Sequence, residues 1–446
     1  MKKTLFANGT IVHADGVKSQ DILIRGEQII SIGKNLESNA DTQIIDCKNK
    51  LIFPGIIDPH THMGIPIKGG FSADDFETGT RSALNGGVTT IIDFTILDND
   101  QTLQESMYER HRLAEVSHSD YALHCNITRF SPSLLREIPK LIAHGIISFK
   151  VFTTYKEAGM MLTYEQITEV AKVIAEHNGI LMVHAEDDAE ITSALVPLMA
   201  ENHVEPFYHG LSRPDSAEEL AVKRLVAIAK ETGCKIYIVH LNSEKGLNAA
   251  KKQQSIFIET CPHYLLLDDS VYKRKDGRMF VASPPLRKPS DSEALWEGII
   301  NGDIHTLGTD HCPFCTADKK EGIPFQNIPN GMGGVETLFP VMLAQWIVRD
   351  LPLPRLVELM SVAPATIFGL HPRKGEIAVG SDADLMVVDP KNITSSWKGK
   401  LVSVTDWNAY TEFPAIFPEQ VWLRGERINA KEFTRDQKSG KFIHCN

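Results

Sequence analysis

Nowhere in the 446-residue chain do apolar residues run for the ~18 consecutive positions that a membrane-spanning helix needs. The beginning, Met1-Lys2-Lys3-Thr4-Leu5-Phe6, carries the charge of a secretory signal but not its apolar stretch, because Asn8, Gly9 and His13 interrupt it. Positive charge is the minority sign. There are 46 Lys and Arg against 57 Asp and Glu, a formal net charge of −11, and no basic block breaks the pattern. A surface of that sign repels phosphate backbones, which excludes nucleic-acid binding through a broad electrostatic footprint. Cysteine is sparse as well. The seven thiols (Cys47, Cys125, Cys234, Cys261, Cys312, Cys315 and Cys445) are odd in number and scattered, a pattern of reduced cytoplasmic thiols rather than of a disulfide framework. Internal repeats and low-complexity segments are absent. With 42% hydrophobic and 23% charged residues the composition is that of an ordinary globular protein. The length suits two or three domains, or one large barrel with an appendage. A soluble cytoplasmic protein is expected.

What is present is a change of rhythm. Up to residue 50, short strand candidates alternate with turns. Residues 4–7 lead through Asn8-Gly9, a two-residue hairpin signal, into 10–12, and residues 21–24 run through Arg25-Gly26-Glu27 into 28–32. From Leu51, apolar runs alternate with longer helical patterns, the signature of βα units and a parallel sheet. Strands are expected at 51–57, 89–94, 121–127, 146–152, 180–184, 235–241, 255–260 and 303–308. Amphipathic segments such as 164–178 and 216–232 lie between them, and Ser216 with Glu219 reads as a capping box. Eight such units over about 300 residues suit a (β/α)8 TIM-like barrel better than an open sheet. After Pro372 the short strands return, two within 375–389 and another at 420–423. Residues 1–52 and 373–446 are therefore expected to pair as one small β-sandwich domain, around a catalytic barrel at 53–372.

The ionisable residues fall at the ends of the expected barrel strands, which converge on the catalytic face of such a barrel. Asp58-Pro59-His60-Thr61-His62 closes the first. Two histidines spaced i, i+2 on an extended strand point the same way and can reach one metal, although an HxH alone is weak. Lys150 interrupts the apolar run 146–152, where a buried ammonium must be paired or chemically modified. His184 and His240 each close a hydrophobic strand, Leu181-Met182-Val183-His184 and Tyr237-Ile238-Val239-His240. Asp310, in Gly308-Thr309-Asp310-His311-Cys312, can act as ligand, general base or both. Four histidines, a lysine and an aspartate at five strand ends make a hard N/O donor set for Zn, Mn or Fe.

That order on a barrel with β-rich ends resembles the amidohydrolase superfamily, most closely its D-hydantoinase/dihydropyrimidinase branch of cyclic amidases. The matching stretches span nearly the whole chain. They include Phe53-Pro54-Gly55-Ile56-Ile57-Asp58-Pro59-His60-Thr61-His62, Ser72-Ala73-Asp74-Asp75-Phe76, Ser148-Phe149-Lys150-Val151-Phe152 and Thr260-Cys261-Pro262-His263-Tyr264. Ser283-Pro284-Pro285-Leu286-Arg287, Gly308-Thr309-Asp310-His311-Cys312-Pro313-Phe314 and Ile328-Pro329-Asn330-Gly331 follow. The resemblance implies hydrolysis of the cyclic amide bond of dihydropyrimidines or 5-substituted hydantoins to N-carbamoyl amino acids, by a hydroxide bridging two divalent metal ions. It implies a CO2-derived carbamate on Lys150 between the metals, with His60, His62 and Asp310 on one ion and His184 and His240 on the other. Asp310 would take the hydroxide's proton and pass it to the leaving nitrogen. Tyr155 would hydrogen-bond the carbonyl oxygen, Ser283 and Asn330 would pin the amide–urea edge through backbone groups, and the enzyme would be a homo-oligomer, tetramer or dimer.

The chain departs from neighbouring patterns at Gly64. Dihydroorotases carry Arg there and allantoinases usually Asn, so neither matches. The following Ile65-Pro66-Ile67-Lys68-Gly69-Gly70 also differs from the branch, and Lys68 is either a solvated loop residue or a contact for an anionic substituent. Met63, Ile65 and Phe152 are expected to line the pocket for the ring substituent, while Met160 and Met161 either close over the ring or pack beneath their loop. Cys312 and Cys315 read as ordinary loop thiols, and Gly331-Met332-Gly333-Gly334 lacks the setting of a phosphate loop. Beside another cyclic amidase of the branch, allantoinase- or dihydroorotase-like, two rivals of other classes stand. A mononuclear deaminase would need no strand-four lysine, and a non-catalytic scaffold would lack ligands that this chain has.

Overall fold

The computed structural model describes residues 2–67, 70–433 and 438–445. Its centre is a parallel sheet of eight strands: β1 (Ile56–Thr61), β2 (Val88–Phe94), β3 (Asp120–Asn126), β4 (Ser148–Phe152), β5 (Ile180–His184), β6 (Lys235–Ile238), β7 (Ile256–Thr260) and β8 (Thr306–Leu307). Each pairs with the next in chain order. A parallel bridge joins Thr61 to His311, and the His62 N–H donates to the His311 carbonyl at 2.9 Å. The sheet thereby closes on itself as a (β/α)8 barrel.

The strand sequences explain why. β5 is Ile-Leu-Met-Val-His with every residue buried, as befits a parallel strand covered on both faces. Its side chains alternate. Ile180 and Met182 pack inside the barrel with Ile57, Ile92, Ala122 and Tyr237, whereas Leu181 and Val183 join the larger core beneath the helices. The same alternation carries His184 inward at the end of β5. It also places Lys150 of β4 opposite Met182 and Asn126 in the ladder.

Both ends of the chain build two further sheets. One has four strands in the order Gln28–Gly33, Asp21–Arg25, Lys3–Ala7, Thr42–Asp46. The other runs Glu426–Ile428, Gln420–Leu423, Leu385–Val388, Leu51–Pro54, Thr10–His13, Gly16–Ser19. Their shared core holds Phe6, Ile11, Ile22, Ile52, Leu385 and Trp422, with Phe6 edge-on to Trp422 at 5.0 Å.

Four local expectations change. The single strand expected at 51–57 is two. Leu51–Pro54 pairs antiparallel with Leu385–Val388, and β1 begins only at Ile56. Gly55 separates them where a Cβ would come within 2.1 Å of the Thr89 hydroxyl. Asn8-Gly9 does not form a hairpin. Asn8 has φ 63°, but the strands on either side belong to different sheets, and the turn carries the chain between them. Ser216 does not cap its helix, which spans Asp215–Thr232 after Pro214; its hydroxyl donates to Glu190 at 3.0 Å instead. Of the two strands expected within 375–389 only Leu385–Val388 forms, because Gly380 (φ 97°) turns the earlier stretch away. No helix among the described residues is long and apolar enough to cross a membrane.

Candidate metal centre and substrate cavity

A cavity of about 370 Å³ opens at the carboxyl ends of the barrel strands. It is lined by His60, His62, Lys150, Tyr155, His184, His240, Ser283, Asp310 and Asn330, so the expected metal-binding, catalytic and amide-edge residues all face one space. That volume suits a small cyclic molecule.

β1 delivers the first two histidines. His60 Nε2 lies 3.1 Å and His62 Nε2 3.0 Å from Asp310 Oδ1, and the three donor atoms lie within 4.8 Å of one another. Glu259, at the end of β7, fixes His60 from behind by accepting from its Nδ1–H at 2.7 Å. The same carboxylate accepts from the His240 backbone N–H at 2.9 Å and from the Tyr237 hydroxyl at 2.8 Å. Burial alone would lower the His60 pKa, yet Glu259 and Asp310 hold it up at about 9. Asp310 is held well below the usual carboxylate range by His60 and His62, against the effect of burial. The arrangement favours a positive charge between these three side chains, which is what a metal cation brings.

The other side is built on β4, β5 and the segment after β6. Rings of His184 and His240 approach edge-on at 4.6 Å, and His240 stacks on His60 at 5.4 Å. His184 Nε2–H donates to Glu186 at 2.7 Å, and Glu186 is paired in turn with Arg213 at 2.7 Å. That leaves His184 Nδ1 as the free ring nitrogen. His240 Nδ1 is buried without a hydrogen-bond partner. Lys150 Nζ sits 4.7 Å above the Phe94 ring and 5.3 Å from that of Phe152. Burial pushes its pKa down to about 8, so the free amine is within reach near neutral pH.

Tyr155, His240 and Asp310 have φ of 67°, 41° and 51°, a left-handed conformation that side-chain-bearing residues seldom adopt. Three such residues at one cavity fit the pattern of strain held at functional sites. Burial pushes the Tyr155 hydroxyl up to about 12, with the Arg213 guanidinium, 5.1 Å from its ring, opposing. The phenol is therefore a donor at neutral pH. The Ser283 hydroxyl beside it is buried and makes no bond of hydrogen-bonding geometry.

Sequence reasoning overlooked the groups that brace these side chains. Asp58 accepts from the backbone N–H groups of Thr309 (3.0 Å) and His60 (3.2 Å), joining β1 to the Asp310 segment. Asp93 accepts from the Thr61 hydroxyl and the Met63 N–H, both at 2.9 Å, and pairs with buried Arg110. Glu259 interrupts an apolar strand as Lys150 does, and the same reading would have found it. Replacing Glu259 by Gln is expected to weaken metal retention by about 10–100-fold, the range for an outer partner of a histidine ligand. Metal content after graded chelator dialysis checks this.

Around the ring-substituent side, Ile65, Phe152 and Met160 line the cavity. Met63 does not: it is buried beneath Gly79, where a Cβ would come within 2.2 Å of its sulfur. Met161 bridges to Phe152 through backbone and is also absent from the lining. Lys68 lies outside the described residues. Cys312 and Cys315 are free thiols; Cys312 lines the cavity, and burial pushes its pKa up, leaving it uncharged.

The sequence profile of the amidohydrolase family matches residues 51–414. The chain belongs to that family, whose members depend on metals, and within it to the hydantoinase/dihydropyrimidinase branch; it is a cyclic amidohydrolase. A D-phenylhydantoinase from Escherichia coli is 35% identical over 455 residues, covering 99% of this chain and 98% of the relative. The crystal structure of a dihydropyrimidinase from Brevibacillus agri superposes with a TM-score of 0.95 at 31% identity, covering 99% of this chain and 98% of that one. A D-hydantoinase (dihydropyrimidinase) from Thermus sp. gives 0.93 at 33% identity, with 99% of each chain covered.

Proposed function

We propose that the chain hydrolyses the cyclic amide bond of dihydropyrimidines or 5-substituted hydantoins to N-carbamoyl amino acids, with two divalent metal ions per chain. The observation that carries this reading is the convergence of nine residues on one cavity. His60, His62 and Asp310 would hold one ion, His184 and His240 the other, and a carbamate on Lys150 would join them. The carbamate forms when the Lys150 amine attacks CO2, making an N–C bond and releasing a proton. It replaces a cation stranded among aromatic rings by an anion between two cations. Zinc suits this donor set, with manganese or iron as alternatives. The metals supply a hydroxide at neutral pH and polarise the carbonyl.

The chain's own residues do the rest. The depressed pKa of Asp310 keeps its carboxylate ionised to accept a proton, which it returns to the leaving ring nitrogen. Tyr155 donates to the carbonyl oxygen as that atom gains charge. Ser283 and Asn330 hold the amide–urea edge, while Phe94 and Phe152 exclude water. Gly64 argues against a dihydroorotase. Its φ of 57° strains any residue bearing a side chain, an arginine included. Residues 1–52 with 373–446 as the sandwich, 53–372 as the barrel, a homo-oligomeric state and a cytoplasmic location belong to the same proposal.

Metal-loaded protein should turn over dihydrouracil or a hydantoin, and turnover of dihydroorotate alone would overturn the assignment. Within that panel, Phe152→Ala should change the kcat/KM ratio between small and bulky C5 groups by about 1–3 kcal/mol, the scale of pocket discrimination. Met63→Ala, beneath the wall rather than on it, should leave the ratio unchanged.

A further inference from the structure

Two lysines stand among the largest fully buried side chains, Lys150 and Lys319. The proposed reaction uses the first and not the second. Lys319 Nζ donates to three backbone carbonyls, those of Met279 at 3.0 Å, Val281 at 2.8 Å and Gly331 at 2.7 Å. An ammonium has three N–H bonds, so each finds an acceptor. The first two carbonyls lie shortly before Ser283, and the third directly follows Asn330. The Gly331 N–H also donates to the Val281 carbonyl at 3.1 Å, so two separate segments meet at one cation. On its far side the loop is closed in. Gly331 has φ 139°, and a Cβ there would come within 2.5 Å of the Cys312 carbonyl. The lysine is anchored too, its own carbonyl accepting from Arg278 Nε at 2.7 Å. Burying a cation works against stability and pushes its pKa down to about 7; the protonated amine satisfies all three carbonyls, and the neutral amine would still donate to two of them. An apolar side chain of the same length would fill the space without that penalty but would leave buried carbonyls unpaired.

We propose that Lys319 is a positioning residue for the substrate: its ammonium ties the segment carrying Ser283 to the loop carrying Asn330 and sets the spacing of the two groups that grip the ring. This rests on the reading of Ser283 and Asn330 given above. The tie acts on ring binding, whereas Asp310 and Tyr155 lie on other segments.

The test compares metal-loaded wild type with Lys319→Met and Lys319→Gln, by hydantoin kinetics and by hydrogen–deuterium exchange. Lys319→Met should raise KM about tenfold or more with kcat within about threefold, the pattern of lost uniform binding. Lys319→Gln keeps two donors and should fall between the two. Residues 279–283 and 328–334 should exchange faster together while the barrel strands are unchanged. Unchanged KM in both variants, a fall in kcat at constant KM, or loosening of one segment alone would overturn the proposal. A lower Tm with unchanged KM would do the same, reducing Lys319 to a packing role. If Lys319→Met does not fold, Lys319→Gln carries the same readouts. A wild type inactive on every cyclic amide would overturn the functional reading instead, and the exchange comparison would still judge the tie.

Discussion

Lys150→Ala is expected to lower kcat by more than the roughly 10–100-fold that loss of an outer partner costs at a metal centre. Lys150 sits in the middle of the proposed site. Its strand is fixed on both sides by the β3 and β5 ladders, so truncation leaves the barrel intact. What goes is the group proposed to bridge the two halves of the donor set, His60, His62 and Asp310 on one side, His184 and His240 on the other. Metal content should fall along with kcat, and Tm should change little. Short carboxylic acids should restore part of the activity, since they can place an anion in the space left beside Phe94 and Phe152. Full activity in the untreated variant would end the carbamate proposal.

Asp310→Asn should cost about 10²–10⁴-fold in kcat, the range for a general acid–base group. The amide keeps an oxygen facing His60 and His62 but can neither accept the proton nor return it. Its effect therefore separates from that of Lys150→Ala. Saturating metal should refill the Asp310→Asn site without restoring turnover, and KM should move less than kcat. Recovery of wild-type rates on metal addition would make Asp310 a ligand alone.

The inward-facing chemistry was legible because parallel barrel strands are simple. β5 is one apolar run ending in His184, and a period of two says which way that histidine points. Lys150 announced itself by interrupting such a run. What stayed hidden depends on partners distant in sequence. Nothing local in residues 51–57 reveals that its first half pairs with Leu385–Val388, or that Gly55 is required by Thr89 packed against it. Asn8-Gly9 has hairpin chemistry, yet the sheets it connects decide the topology. Met63 carried pocket chemistry beside His62, but the close approach of Gly79 drew it into the core. Ser216 had the spacing of a cap, and Glu190, from another helix, took its hydroxyl. Glu259 was visible by the reasoning applied to Lys150; its partners, His60, His240 and Tyr237, were not.

Metal stoichiometry separates the readings most directly. Purified, catalytically active protein analysed by elemental mass spectrometry against protein concentration should hold about two divalent ions per chain, the number that the two halves of the donor set require. One ion per chain in fully active protein would contradict the binuclear centre and point to a deaminase-like site. None in active protein would contradict a metal-dependent reaction at this site altogether.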